Sequence, residues 1–436
     1  MHTLEALRAG ELVGIKRLDL AADLTEFPAE IFDLAGSLEV LNLSGNRLSD
    51  LPQDLTRLHK LRIIFCSDNR FTHVPEVLGQ CINLEMIGFK ANQIAHLSAK
   101  ALPPKLRWLI LTDNRLQQLP AEMGACTNLQ KLMLSGNRLQ ELPAELVACT
   151  RLELLRIAAN RFERLPDWLL RLPRLAWLAY AGNPFSDAIE KEAMASLAIE
   201  HIDWHTLDVQ HTLGEGASGI IYRAHRTTEH GAHPVAVKVF KGAVTSDGLP
   251  RSEKSACLMA GEHPNLIPVH GRLHGHPEDA LGMVMPLIEP SFINLAGPPS
   301  LESCTRDIYA SETRFTFEQL MGIARGIASA AAHLHAKGVM HGDLYAHNIL
   351  WNEKGECLLG DFGAASFLPT HDEEFRRGLQ CIEVRAFACL LEELQARCDV
   401  SSDALRDLQI RCARHEVDAR PSFDEIAREL ASLVVQ

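Results

Sequence analysis

Residues 129–137 read LQKLMLSGN, which is the pattern L-x-x-L-x-L-x-x-N with three leucines and a closing asparagine. The pattern recurs through the first half of the chain, and a polar residue closes each copy at intervals of 23 residues, with one interval of 22. The closing residues are Asp23, Asn46, Asn69, Asn92, Asn114, Asn137, Asn160 and Asn183. A fixed period of this length is typical of stacked structural repeats. The sequence therefore predicts eight repeats, from about residue 15 to residue 185.

Each repeat predicts one short strand and a return arm. The L-x-L pair alternates as a strand does, so both leucines point to one face, and a single coil cannot bury that face alone. The amide of the closing asparagine is placed to bond backbone groups of adjacent coils that would otherwise be buried and unpaired. The fourth repeat is one residue short, which predicts a local kink in the stack.

The repeats resemble the leucine-rich repeat family. The resemblance implies an α/β solenoid whose variable strand positions face a concave surface that binds a protein substrate or regulator, or docks on the second half of the chain. Those positions are mostly apolar, which predicts an exposed apolar strip of the kind that marks an interface. The candidate partner-binding residues are Phe65, Trp108, Met133 and Trp177.

A different set of motifs begins after residue 204, where the repeat period is broken. Residues 213–222 read LGEGASGIIY, residues 235–238 read VAVK, and residues 263–265 read HPN. Residues 341–348 read HGDLYAHN and residues 361–363 read DFG. We therefore predict a repeat domain of residues 1–204 and a second domain of residues 205–436.

In this order and spacing the motifs resemble those of eukaryotic-type protein kinases, which implies an α+β bilobal kinase-like fold using ATP and Mg²⁺. The resemblance makes Asp343 the group that takes the acceptor's proton, and Lys238, held by Glu253, the cation on the nucleotide phosphates. Asn348 and Asp361 are the implied Mg²⁺ ligands. The implied ATP-binding residues are Leu213, Gly214, Gly216, Gly219, Ile221, Ala236, Lys238 and Met285.

The sequence departs from that family at three points. Gly342 stands where an arginine commonly receives an activation-loop phosphate, which predicts activity without phosphorylation of Ser366 or Thr370. No A-P-E motif follows the DFG motif, and Tyr345 replaces the lysine usual in serine/threonine kinases.

The favoured interpretation is a serine/threonine protein kinase with a protein-binding repeat array. Two alternatives stay open. One is a pseudokinase scaffold that uses the repeats to bind a partner. The other is a phosphotransferase acting on small molecules, because the His-Gly-Asp motif and the short loop also resemble the aminoglycoside and choline kinase group.

Composition excludes several other classes of protein. The formal net charge is -13, from 43 Lys and Arg against 56 Asp and Glu, and this repels phosphate backbones, so we expect no nucleic-acid partner. The 11 cysteines contain no C-x-x-C pair, so no zinc site is indicated. No stretch approaches the ~20 apolar residues of a membrane span. Without an export signal, we expect a cytoplasmic protein.

Overall fold

The computed structural model describes residues 2–195, 197, 200–216, 218–242, 244–245, 247–300 and 304–433. By their contacts the residues divide into two compact units, Met1–Arg174 and Leu175–Gln436. The coil that Asn183 closes belongs to the second unit by this criterion. The domain boundary near residue 204 stays a prediction.

The first unit is a solenoid of short parallel strands, as the repeat pattern predicts. It opens with helix α1 (Leu4–Arg8). Successive strands pair in parallel without a register shift, so that Trp108 lies opposite Lys131, which lies opposite Leu154. The strands are β1 (Arg17–Asp19), β2 (Val40–Asn42), β3 (Ile63–Phe65), β4 (Met86–Gly88), β5 (Trp108–Ile110), β6 (Lys131–Met133) and β7 (Leu154–Arg156).

The return arms are short 3-10 helices, most of which begin after a proline. Proline lacks a backbone N–H, and its fixed φ suits a helix start. The short fourth repeat keeps the pairing of Met86 with Trp108, so its missing residue is taken from the return arm and the strand register is unbroken. The 3-10 helices of this unit are Ala29–Leu34, Leu55–Arg57, Glu76–Gln80, Ala99–Ala101, Ala121–Ala125, Ala144–Ala148 and Asp167–Arg171.

The closing asparagines bond the backbone of neighbouring coils. Asn137 accepts from the Leu116 N–H at 3.0 Å and donates to the carbonyls of Leu111 and Leu134 at 2.8 and 2.9 Å. Asn46 makes the same kinds of bond four repeats earlier in the array. Each amide therefore satisfies buried backbone groups of two coils, because such groups are costly when unpaired.

The residue before each of these asparagines has a positive φ. Glycine tolerates this left-handed conformation, but Ala91 and Ala159 adopt it as well, at φ of 53°. The turn that brings the asparagine inward therefore requires a left-handed residue even where that residue is an alanine, for which the conformation is strained.

The second unit begins with β8 (Trp177–Ala179) and α2 (Pro184–Ala195). A six-stranded sheet follows, in the order β10-β11-β12-β14-β13-β9, with β9 parallel to β13 and the other pairs antiparallel. Its elements are β9 (His201–Asp203), a 3-10 helix (Trp204–Thr206), β10 (Leu207–Glu215), β11 (Gly219–Thr228), β12 (Gly231–Phe240), α3 (Pro250–Ala260), β13 (Gly271–His274) and β14 (Gly282–Pro286).

A mainly helical part completes this unit, with a three-stranded sheet in the order β15-β17-β18 and a pairing of β16 with β19. Capping boxes start two of its helices, with Thr316 and Gln319 on α4 and with Ser422 and Glu425 on α7. The elements are β15 (Ile293–Asn294), α4 (Phe317–Ala336), β16 (Val339–Met340), a 3-10 helix (Ala346–Asn348), β17 (Ile349–Trp351), β18 (Cys357–Leu359), β19 (Ser366–Phe367), α5 (Glu373–Gln395), α6 (Asp403–Cys412), a 3-10 helix (Val417–Ala419) and α7 (Phe423–Ser432).

Glu383, on the buried face of α5, anchors the loop that follows β16. Its Oε1 accepts from the Gly342 N–H at 2.7 Å, and its Oε2 accepts from His335 Nε2 at 2.8 Å and from the His341 N–H at 3.3 Å. Burial alone would raise the pKa of this carboxyl, but His335, His341 and the Gly342 amide outweigh it and the pKa is lowered. The ionised form therefore holds the loop.

Asn137→Ala is expected to destabilise the first unit by roughly 2 to 4 kcal/mol, because two buried carbonyls and one N–H lose their partner. Chemical denaturation monitored by tryptophan fluorescence measures the change. The matched control is Asn128→Ala, because the Asn128 side chain accepts only an exposed bond from Arg151 in the described contacts. Equal midpoints for the two variants would show that the asparagine does not bind the coils together.

Glu383→Gln is expected to destabilise the second unit by about 3 to 5 kcal/mol, because the buried carboxylate accepts three hydrogen bonds and the amide keeps only one acceptor oxygen. The control is Glu392→Gln on the same helix, where the glutamate is exposed and pairs with Arg306. Since folding lowers the pKa of Glu383 from 4.5, its contribution is present above that pH and is lost as the pH falls through the lower folded value. The difference in the free energy of unfolding between Glu383→Gln and wild type should therefore shrink in acid. A difference that grows in acid would contradict a stabilising role of the ionised Glu383.

Candidate functional site

The three predicted phosphate-binding glycines lie near the end of β10, in the turn that follows it and at the start of β11. A Cβ added at Gly214 or Gly216 would meet no heavy atom within 4 Å, whereas one at Gly219 would lie 2.4 Å from the Val239 carbonyl oxygen. The first two glycines therefore leave open space at the turn, and the third allows β11 to pack on β12. Ala217, in the same motif, lies outside the described residues.

The apolar residues predicted to line the nucleotide pocket lie on four neighbouring strands. Ala236 on β12 is paired with Met285 on β14, and Ile221 on β11 is paired with Lys238 on β12. Leu213, on β10, is 46% exposed. The sheet thus gathers these residues around the strand that carries the predicted phosphate-binding lysine.

A buried ion pair joins that strand to helix α3. The Lys238 ammonium contacts Glu253 Oε1, and the two residues are only 8% and 2% exposed. Desolvation lowers the pKa of Lys238, but the carboxylates of Glu253 and Asp361 outweigh it and the pKa is raised. The site therefore holds a fixed cation at neutral pH, and its position depends on α3.

The loop between β16 and β17 places Asp343 beside Asn348. The Asn348 side-chain amide donates to the backbone oxygen of Asp343 at 2.9 Å and to its carboxylate at 3.0 Å. The Asp343 N–H donates to His341 Nδ1 at 3.3 Å, and His341 Nε2 lies 2.9 Å from the Gly360 carbonyl oxygen. His341 therefore connects the Asp343 N–H to the Gly360 carbonyl, which directly precedes Asp361.

Asp361 projects from the turn that follows β18. It has a φ of 53°, a left-handed conformation that non-glycine residues rarely adopt and that often marks a functional site. Its Oδ1 accepts from the Gly363 N–H at 3.2 Å. The residue is exposed, and its charge acts on both Lys238 and Glu253, which places a solvated carboxylate beside the buried ion pair.

The site includes two further residues, His347 and Asp307, to which the sequence motifs assigned no role. His347 Nδ1 donates to Asp307 Oδ1 at 2.6 Å, and Asp307 Oδ2 accepts from the Ala346 N–H at 2.5 Å. Burial lowers the pKa of His347, but Asp307, with Asp343 and Asp361, raises it overall. His347 stands inside the 341–348 motif, but Asp307 lies in a segment without a recognisable pattern, so no sequence signal pointed to it.

The predicted partner-binding strip is only partly exposed. Phe65 and Trp108 are half-buried, whereas Met133 and Trp177 are 9% and 2% exposed, so the expectation of an exposed strip is wrong at those two positions. Trp108 Nε1 donates to the Met133 sulfur at 3.3 Å. Trp177 stacks on Tyr345, with ring centroids 4.0 Å apart and planes at 8°.

The oxygen donors of Asn348 and Asp361 suit Mg²⁺ better than a soft metal. Across the residues that the structure describes, no group of three or more His, Cys, Asp or Glu side chains is arranged to hold a metal ion. Within the same residues, no helix combines the length and the apolar character that crossing a membrane requires.

Known protein families match both parts of the chain. Residues 207–395 match the family described as protein tyrosine and serine/threonine kinase. Residues 37–58 and 104–162 match leucine-rich repeat families. Both matches confirm the resemblances that the sequence motifs indicated.

Curated relatives match part of the chain at low identity. The chain is 30% identical to serine/threonine-protein kinase PITSLRE of Drosophila melanogaster over 155 residues, which are 35% of this chain and 15% of that protein. It is 32% identical to ephrin type-B receptor 4 of Homo sapiens over 193 residues, 44% of this chain and 18% of the receptor. It is 27% identical to serine/threonine-protein kinase Kist of Pongo abelii over 206 residues, 45% of this chain and 46% of that kinase.

The chain therefore spans less than half the length of each of these relatives. The matched region contains the glycine turn, the buried ion pair, the Asp343 loop and the Asp361 turn. Together, the family matches and the geometry identify a chain of leucine-rich repeats followed by a protein tyrosine and serine/threonine kinase domain.

Proposed function

We propose that this chain is an active, ATP- and Mg²⁺-dependent serine/threonine protein kinase, and that its leucine-rich repeats bind a protein substrate or regulator. The observation that carries the proposal is the closed Lys238–Glu253 pair with the exposed Asp361 carboxylate beside it. Phosphoryl transfer depends on positioned charge, and a kinase needs both of these groups in place. A buried cation next to two carboxylates is costly without a function, so this arrangement favours a catalytic site over a non-catalytic scaffold.

The residues fit ATP and Mg²⁺. Open space at Gly214 and Gly216 suits phosphates near the backbone, Lys238 would neutralise them, and Asn348 and Asp361 would hold the metal ion. When bound, MgATP supplies the transferable phosphoryl group. The chain's own contribution is to orient the acceptor hydroxyl and take its proton on the Asp343 carboxylate, which Asn348 holds in place.

The acceptor class is inferred from the relatives, because the matched family covers both tyrosine and serine/threonine kinases. Two of the relatives carry serine/threonine kinase in their names, which favours a serine or threonine acceptor. A small-molecule acceptor was suggested by the glycine in the His-Gly-Asp motif. Gly342 has a packing reason of its own, however, because an added Cβ would lie 2.5 Å from the Ala364 oxygen and 2.6 Å from the Leu178 oxygen.

The repeats remain the proposed partner-binding part. Phe65 and Trp108 retain partial exposure and are the candidate contacts on the solenoid, while Met133 supports Trp108 from β6. Half-buried aromatic side chains are frequent energetic centres of protein interfaces.

Wild-type protein incubated with labelled ATP and Mg²⁺ is expected to label itself or a generic protein substrate. Asp343→Ala and Lys238→Ala should each reduce transfer by ~10²- to 10⁴-fold, because they remove the proton acceptor and the phosphate-binding cation. Lys241→Ala is the matched control, since Lys241 is three residues away and pairs with the exposed Glu215. Circular dichroism should show that all three variants are folded.

Two results would contradict the proposal. If wild type transfers no phosphate with any divalent metal, the non-catalytic scaffold is favoured. If it phosphorylates aminoglycosides or choline but no protein, the chain is a small-molecule phosphotransferase.

The two candidate loop phosphorylation sites differ sharply in accessibility. Ser366 is 0% exposed and its Oγ accepts from the Tyr180 N–H at 3.1 Å, whereas Thr370 is exposed. A phosphate on Ser366 would need this buried position to open. The geometry therefore supports activity without loop phosphorylation.

Thr370→Ala is expected to leave the rate of phosphoryl transfer within about twofold of wild type, because its side chain is exposed. Ser366→Asp should lower activity, since it places a charge in a buried site. Initial rates, with mass spectrometry of the loop, measure both effects. If Ser366→Ala with Thr370→Ala abolishes activity and glutamate at both positions restores it, phosphorylation of this loop is required after all.

A further inference from the structure

The segment of residues 175–195, made of β8, α2 and the turn between them, contacts three separate parts of the kinase site. We propose that this segment is a built-in positioning element of the phosphotransfer site, with Trp177, Tyr180, Asp187 and Glu190 as positioning residues. The inference rests on the proposed kinase function. All of its contacts lie within the compact unit Leu175–Gln436.

The first contact is with the loop that carries Asp343. Trp177 Nε1 donates to the Leu344 carbonyl oxygen at 3.1 Å, and the Trp177 ring stacks on Tyr345. Both aromatic residues are buried, and the stacking of the two rings adds to the gain from burial. Trp177 therefore holds the two residues that directly follow Asp343.

The second contact is with the segment that follows Asp361. The Tyr180 N–H donates to Ser366 Oγ, and the Tyr180 hydroxyl donates to the Phe367 carbonyl oxygen at 3.0 Å. Ser366 and Phe367 form β19, which pairs with β16 directly before the Asp343 loop. Tyr180 thus links the segments on both sides of the site.

The third contact is with helix α3, which carries Glu253. Both carboxylate oxygens of Asp187 lie 2.8 Å from Arg251 Nη2, and Glu190 Oε2 accepts from Ser252 Oγ at 2.8 Å. Arg251 and Ser252 directly precede Glu253, which turns inward to Lys238. A movement of α3 that opened the Lys238–Glu253 pair would also break the contacts with α2.

The same segment explains why no arginine precedes Asp343. Gly342 has a φ of 74°, and the space that a side chain would need there is occupied by the backbone oxygens of Leu178 on β8 and of Ala364. An arginine that captures a loop phosphate therefore does not fit at this position. The backbone of β8 occupies the place of the first side-chain atom, and Trp177 of the same strand donates a hydrogen bond to the loop.

The test uses charge reversal in the full-length chain. Asp187→Arg and Arg251→Asp should each lower kcat about 3- to 10-fold with a smaller change in the KM for the protein substrate, because α3 is released from its inward position. The double variant reverses the pair and should recover kcat to within about twofold of wild type. Asp403→Arg is the matched control, because Asp403 makes an exposed ion pair with Arg406 on α6.

Tryptophan variants test the contact with the Asp343 loop. Trp177→Ala should lower kcat about 10-fold or more and speed amide hydrogen exchange in residues 343–348, while Trp177→Phe keeps an aromatic ring and should lie between it and wild type. The control is Trp168→Ala, a half-buried tryptophan of the first unit.

A binding measurement separates this inference from the proposed activity. Calorimetric titration with MgATP should give a Kd raised at least about threefold by Asp187→Arg and restored in the double variant, since the Lys238–Glu253 pair forms part of the nucleotide site. If wild type transfers no phosphate but this pattern of Kd holds, the activity is wrong and the positioning element stands.

Two results would overturn the positioning element itself. One is that both single reversals match Asp403→Arg in kcat, KM and Kd, or are not improved by combining them. The other is a rise in kcat for Asp187→Arg or Trp177→Ala, which would make the segment a restraint on the kinase instead of a support.

Discussion

The carboxylate of Glu383 is the constraint on which the geometry of the site depends. It is buried on α5, yet it stays ionised because a histidine side chain and two backbone N–H groups of the Asp343 loop surround it. A buried charge is tolerated only when its hydrogen-bonding capacity is filled, so the loop must adopt the one conformation that supplies those donors. This conformation of the loop places Asp343 and Asn348.

The solenoid meets the same physical problem with neutral groups. Each coil exposes backbone N–H and carbonyl groups to an interior without water, and the side-chain amide of Asn137, or its equivalent, fills them. The need is strong enough that Ala91 and Ala159 accept a left-handed backbone conformation in the turn before the asparagine. The hydrogen bonds from these amides to buried backbone groups, together with the packing of the leucines, account for the repeat period of the array.

The sequence was sufficient where a motif carries its own geometry. The repeat period predicted one short strand in each stacked coil, and the motifs predicted that Glu253 holds Lys238. It did not predict Asp307, because that carboxylate reaches His347 from a segment without a pattern. Nor did it predict that Trp177 is covered, since a strand pattern states which face a side chain occupies and not what packs against that face.

The buried carboxylates of Glu383 and Glu253 are held in place by different kinds of contact. Glu383 is buried together with its donors, so separating them would leave its charge without partners. Glu253 lies on α3, whose flank is held by the half-exposed Asp187–Arg251 pair, and such surface pairs contribute ~0 to 1 kcal/mol each. The loop that carries Asp343 is thus fixed by burial, while the Lys238 cation is positioned by contacts weak enough to be changed. The segment of residues 175–195 contacts both α3 and the Asp343 loop, so a change in its position would move the Lys238–Glu253 pair more readily than the loop.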